Sequence, residues 1–296
     1  MSSLNVAKSG EELIKICEEN SIPLSEYAII REMEDRDVTR EEVLEKMKKT
    51  LDAMRNGATE GREREVYSVS GLIGGDAYKL QEYLKKGKTL TGDTMVLAMA
   101  MALSSSEVNA SMGKIVACPT AGSCGILPAV ILTAGEKLNK SDEELMKALF
   151  AAAAVGMIIG RNATFAGAEG GCQAECGSAS AMASAAIVEM MGGTPKMSLD
   201  AAAIVFKNVM GLVCDPVAGL VEIPCAKRNS SGAISALCTA DLVMAGVESK
   251  IPFDDALSAM YKVGRSLPPS LRETALGGVA VTKAGLELRK KVFGDN

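Results

Sequence analysis

The chain of 296 residues sets 32 Lys and Arg against 37 Asp and Glu, and its formal net charge of −5 provides no basic footprint for nucleic acid or an anionic membrane. Hydrophobic residues make up 48% of it but aromatics only 3%, so the core has to be assembled from Ala, Leu, Ile, Val and Met. Small side chains let helices approach closely, whereas sheets recruit Val, Ile, Thr and aromatic residues, and a mostly α fold is expected.

Residues 1–64 read as a charged, helical amino-terminal region. Within it Thr39 and Glu42 form a capping box that opens a helix through Val43, Leu44, Met47 and Leu51 towards a stop near Gly57. From about Ser68 charge thins out and Gly, Ala and Ser dominate, so residues 65–296 read as an Ala/Gly-rich helical core buried on several sides. Helices are predicted from Asp93 to Val108 and from Ile126 to Leu138. Ser141 and Glu144 make a second capping box ahead of LMKALFAAAAVGMIIG, and another helix follows from Ser178 to Met191. Ser198 and Gly211 bracket a further helix; this one and the helix opened by Ser141 are expected to be central. The last two predicted helices run from Ala233 to Gly246 and from Asp254 to Val263. No period-two strand, repeat or linker stands out, and a single all-α catalytic domain over 1–296 is expected.

The first residues lack the basic start, apolar run and small-residue cleavage site of a secretory signal. The longest apolar stretch, from Leu145 to Gly160, contains Lys147 and is shorter than the roughly 20 residues that span a bilayer. A cytoplasmic protein is expected, and there clustered cysteines serve metals or catalysis more often than cross-links.

Eight cysteines and no histidine restrict any metal to thiolate or carboxylate ligands, and soft thiolates favour zinc or an iron–sulfur cluster. Cys172 lies in GAEGGCQAECGSAS at a helix entry, Cys214 in GLVCDPVAG beyond a helix end, and Cys225 in VEIPCAKRNSSG, with Pro216 and Pro224 stiffening the connection between the last two. No Cys-x-x-Cys pair occurs, so these thiols could meet only through folding. Spacing alone slightly favours ordinary buried cysteines. Pro119-Thr120-Ala121-Gly122-Ser123 precedes a helix near Gly125, where backbone N–H groups could cradle a carboxylate; an ordinary helix-entry turn is the competing reading.

The string from Ala163 to Ala181, together with ACPTAGSCGILPAV and GLVCDPVAGLVEIPCAKRNSSGA, resembles the catalytic part of the iron–sulfur-dependent L-serine dehydratases, specifically their separate alpha subunit. The similarity covers essentially the whole chain. It implies an all-α fold, release of pyruvate and ammonia from L-serine, and a [4Fe–4S] cluster on Cys172, Cys214 and Cys225, with one iron left open as a Lewis acid. Pyridoxal phosphate is not expected, since Ser111-Met112-Gly113-Lys114 lacks the strand–loop–helix setting of a phosphate cup.

Thr120, Gly122, Ser123, Asn229 and Ser230 are then expected to bind substrate, and Glu169, Gln173 and Lys227 to support the cluster from behind its ligands. A solvated polar loop is the alternative for the run from Lys227 to Ser231. Cys176 is expected to be a decoy one helical turn beyond Cys172, with Cys118, Cys124 and Cys238 packing as hydrophobes and Cys17 structural. Asp215 reads as a turn former before Pro216, and the stretch GRSLPPSLRETALGG as a cover over the core. On this chain only Lys227, Glu169, Glu175 or a spare thiolate could remove the α-proton, and none is a strong general base. The resemblance implies that a separate beta subunit supplies it, in an oligomeric assembly with L-serine as substrate and with neither nucleic acid nor membrane as partner. Two other readings stay open: a cluster-dependent L-cysteine desulfidase, and a non-catalytic helical subunit with structural zinc or merely buried cysteines.

Overall fold

The computed structural model describes residues 4–294, and among them there are thirteen α-helices, two isolated β-bridges and no strand. Helix α1 (Gly10–Glu19) is capped by Ser9, whose hydroxyl accepts from the N–H of Glu12 at 3.1 Å. A second cap comes from far along the chain: the carboxylate of Asp254 accepts from the N–H groups of Gly10 at 2.7 Å and Glu11 at 3.0 Å. Helix α2 (Leu24–Arg36) turns at Asp37 into α3 (Arg40–Glu63), which opens on the expected capping box; Thr39 N–H donates to Glu42 at 2.8 Å and Glu42 N–H to the Thr39 hydroxyl at 3.3 Å.

Helix α3 does not stop at Gly57. It runs on to Glu63 because Gly57 and Gly61, one turn apart, form the face on which α5 (Asp93–Ala110) lies. The Ser104 hydroxyl of α5 donates to Gly57 O at 2.7 Å and accepts from Gly61 N–H at 2.8 Å. A Cβ at Gly61 would meet Ser104 Cα at 3.1 Å, so close approach, not termination, is what these glycines provide. Between them in sequence, α4 (Asp76–Lys85) packs on α5.

Helices α6 (Ile126–Leu138) and α7 (Asp142–Asn162) follow, the second opened by the predicted Ser141–Glu144 box. A single turn, α8 (Gly167–Gly170), and a π-helical turn at Gln173–Gly177 lead into α9 (Ser178–Met190). Helix α10 (Pro195–Val209) begins at a Thr194 cap, four residues before the expected Ser198; Ser198 is buried inside it. Helix α11 (Cys225–Met244) begins eight residues before the expected Ala233, and α12 (Phe253–Ser266) and α13 (Lys283–Phe293) complete the order.

The innermost helix is α9, not α7 or α10: every residue from Ser178 to Val188 is buried, and α6, α7, α10 and α11 pack around it. Its Ala and Ser side chains are short enough for four neighbours to close in, and a buried hydroxyl such as Ser180 is satisfied by the Cys176 carbonyl of the preceding turn at 2.7 Å. The hydrophobic core runs without interruption from Ala7 to Met260 and takes in Leu13, Leu24, Ile29 and Leu51 of the charged amino-terminal region, each worth about 1.5–3 kcal/mol when fully buried. Among the described residues no helix is long and apolar enough to cross a membrane.

Candidate active site

The connection between α5 and α6, the π-helical turn before α9 and the start of α11 meet on one side of the bundle, where the π turn touches the 3-10 turn at Ala121–Ser123, α11 and α12. Cys172 lies just ahead of the π turn and is held there by Gln173. That fully buried side chain donates to Met260 O of α12 at 2.9 Å and accepts from Gly211 N–H beyond α10 at 2.8 Å. Cys214 is pinned by the late segment expected to cover the core: its N–H donates to Leu271 O at 2.9 Å, and its carbonyl accepts from Glu273 N–H at 2.8 Å. Cys225 opens α11 directly after the cis Ile223–Pro224 bond.

The three sulfurs, drawn from stretches 42 and 11 residues apart, lie near enough to act on one another electrostatically. Burial pushes the Cys225 thiol up to about 12, with Cys172 and Glu175 adding to the rise. Burial likewise raises Cys214, reinforced by Glu175, Cys172, Glu273 and Cys225. Cys172 moves the other way. The Cys176 thiol hydrogen-bonds to its sulfur and Arg228 faces it, and these two effects outweigh burial and lower its pKa. Cys176 itself is buried in the π turn, and Cys172 and burial raise its pKa.

Arg228 is the cation of the site. It pairs with the buried carboxylate of Asp215 at 2.9 Å and donates to Val213 O at 2.8 Å, while its charge bears on Cys172 and Cys225. Asp215 also accepts from Val279 N–H at 2.8 Å, so it ties the Cys214 segment to the late segment as well as forming a turn. Asn229 is a brace: its amide donates to Gly122 O at 2.7 Å and Cys225 O at 2.9 Å, and its oxygen accepts from Gly125 N–H at 2.9 Å. Ser230 is buried beside it in the same helical turn. The run from Lys227 to Ser231 is thus helix and not a solvated loop, its weak helix formers compensated by these bonds.

Glu175 is the carboxylate nearest the thiols. Thr120 donates to its Oε1 at 2.9 Å, the Cys214 thiol lies 3.9 Å from its Oε2, and Ser123 buttresses Thr120 with hydroxyls 3.2 Å apart. Burial and Glu273 raise the Glu175 pKa, opposed by the Thr120 hydrogen bond. Backbone presses on it from both sides: a Cβ at Gly122 would be 3.0 Å from Oε1 and one at Gly167 2.6 Å from Oε2.

Thr120, Gly122 and Ser123 thus lie at Glu175, Gln173 adjoins Cys172, Asn229 bonds to Cys225 O and Ser230 is buried next to Asn229, while two other expected residues lie elsewhere. Lys227 pairs with Asp76 at the start of α4, and Glu169 is exposed on α8. Cys238 departs from expectation too, since it is exposed on α11 instead of packed. Cys17, Cys118 and Cys124 are buried, with thiol pKa values raised by burial. Sequence alone does not single out Arg228, Glu273 or Gly167 as site residues. Their only sequence signal was closeness to a cysteine or to glycine and proline turns.

The donor chemistry suits a soft metal group: three thiol sulfurs converge with a guanidinium and a fourth thiol behind them. Among the described residues no three His, Cys, Asp or Glu side chains form a group that could hold a metal ion.

An all-helical protein with a buried thiol cluster, walled by small-residue loops at helix starts, is the class that fold and site define. The family described as "Serine dehydratase alpha chain" matches residues 19–280. The chain is 50% identical to the "Probable L-serine dehydratase, alpha chain" of Bacillus subtilis (strain 168), over 97% of this chain and 95% of that one. It is 48% identical to the "L-serine dehydratase, alpha chain" of Peptoniphilus asaccharolyticus, over 97% of each. It is also 35% identical to the "L-serine dehydratase" of Streptomyces coelicolor, over 93% of this chain but 60% of that longer protein. The chain belongs to the serine dehydratase alpha chain family.

Proposed function

We propose that the chain is the catalytic alpha chain of an L-serine dehydratase, converting L-serine to pyruvate and ammonia in the reducing cytoplasm. The observation that carries this reading is the family match over nearly the full chain, and the mutual electrostatic influence of Cys172, Cys214 and Cys225 supports it. Those three thiolates would hold a [4Fe–4S] cluster, which when bound supplies a Lewis acid for the departing β-hydroxyl. The remaining steps fall to the protein. Arg228 offsets thiolate charge, and Cys176 acts with it to hold the Cys172 pKa down. In the Thr120–Ser123 turn ahead of α6, the N–H groups of Ala121 and Gly122 are the donors that would face the substrate carboxylate.

Loss of the α-proton and β-hydroxyl as water leaves aminoacrylate, which tautomerises to the imine and hydrolyses to pyruvate and ammonia. The general base is assigned to a partner beta chain, because this chain has no histidine and its Lys227 is paired with Asp76. The "alpha chain" names of two relatives, and the longer single-chain relative that this chain covers only in part, support such a partner.

Anaerobic co-purification with the candidate partner tests the reading. A brown protein with about four irons that releases pyruvate from L-serine is expected. A colourless protein with one zinc, or an iron-loaded one inert towards serine, refutes it. Faster sulfide release from L-cysteine would replace serine as the substrate.

A further inference from the structure

Glu175 has an environment that its protein contacts leave incomplete. Its Oε1 accepts from the Thr120 hydroxyl at 2.9 Å and its Oε2 has only the Cys214 thiol at 3.9 Å. Among the described residues no lysine or arginine forms an ion pair with it. The guanidinium of Arg228, the cation that faces Cys172, is committed to Asp215 and Val213 O. The charged neighbour that does bear on Glu175 is Glu273, another carboxylate. The backbone at Gly122 and Gly167 comes so close that a single methyl at either would overlap its oxygens, so packing fixes the group without neutralising it. A largely desolvated carboxylate with no cation opposite is costly, and the cost is recovered only when a cation arrives. Glu175 also remains partly exposed, hence reachable, and it stands beside both the turn assigned to the substrate carboxylate and the thiols.

We propose that Glu175 receives the α-ammonium group of the amino-acid substrate, and so makes the site selective for amino acids over carboxylic acids that lack the amine. The inference rests on the dehydratase reading, which assigns a zwitterion to this site. The carboxylate turn at Thr120 and the ammonium acceptor at Glu175 are joined by one hydrogen bond, which fixes the distance between the two recognition points. Glu175 then aligns the α-carbon and takes no part in breaking its bonds.

L-Alanine and propionate differ only in the α-ammonium, and neither can lose water, so their binding to the iron-loaded holoenzyme can be followed calorimetrically without turnover. The wild-type protein is expected to bind L-alanine at least about tenfold more tightly than propionate. In Glu175→Gln that advantage should fall to within about threefold, while the KM for L-serine rises about thirty- to a hundredfold. Propionate affinity should be unchanged, a result that a merely structural defect would not give. Equal affinities for alanine and propionate in the wild-type protein overturn the inference, whatever the stability of the variant. Parallel loss of both ligands in the variant overturns it as well. A holoenzyme inert towards serine defeats the dehydratase reading itself, whereas an active one that does not discriminate alanine from propionate defeats only the role of Glu175.

Discussion

Each of the four clustered cysteines has a distinguishable task. Cys172 is placed by its neighbour Gln173, Cys214 by backbone bonds to Leu271 and Glu273 and Cys225 by Asn229, while Cys176 is buried in the π turn. Alanine at any of the first three is expected to abolish iron retention and activity. Alanine at Cys176 should leave a retained cluster with activity lowered about ten- to a hundredfold. Metal analysis alongside turnover separates these outcomes, and an indispensable Cys176 with a dispensable Cys214 would reverse the assignment. The cysteine motifs were legible in the sequence because their flanking residues are distinctive. Arg228 was not, because its importance comes from Asp215, thirteen positions earlier, and from a helical start that the string KRNSSG does not advertise.

At the scale of elements, signals that act within one turn were readable and those that act between helices were not. The Thr39 and Ser141 capping boxes involve residues three apart, and both helices begin where the boxes place them. Gly57 looked like a stop because glycine is a poor helix former, yet its value lies in contact with Ser104 on another helix. Gly61→Ala tests this reading. Its methyl would sit 3.0 Å from both the Ser104 hydroxyl and the Glu107 carboxylate. The helix-propensity gain of about 1 kcal/mol should be outweighed by an overpacking cost of about 1–3 kcal/mol. A lowered urea midpoint is the expected result, and a raised one would show that the α3–α5 contact has room to spare.

The whole molecule carries a pH dependence that originates outside the thiol site. Glu107 of α5 is 1% exposed, and burial raises its pKa to about 7 although it accepts from the N–H groups of Asp76 at 2.6 Å and Ala77 at 3.3 Å. Asp76 raises it further and Lys227 opposes the rise. A carboxyl whose folded pKa exceeds its ordinary value binds its proton more tightly in the native state, so stability is greatest below about 4.5 and declines as pH rises towards about 7. Glu107→Gln, which keeps the acceptor but cannot ionise, should remove this component. The stability difference between variant and wild type, measured by urea unfolding, is expected to grow in the variant's favour between pH 5 and pH 7 and then level off. A difference that stays flat across the window would mean that Glu107 keeps its ordinary acidity.

The double cap on α1 ties the first helix to α12 through one carboxylate. Asp254 grips the opening turn of the first helix while itself standing in the opening turn of α12, the helix whose Met260 carbonyl anchors Gln173 next to Cys172. Three links thus connect the amino-terminal helix to the sulfur cluster, and trimming that helix would loosen a clasp on the wall behind the reacting centre. Damage at the outermost turn would in this way register at the innermost thiol.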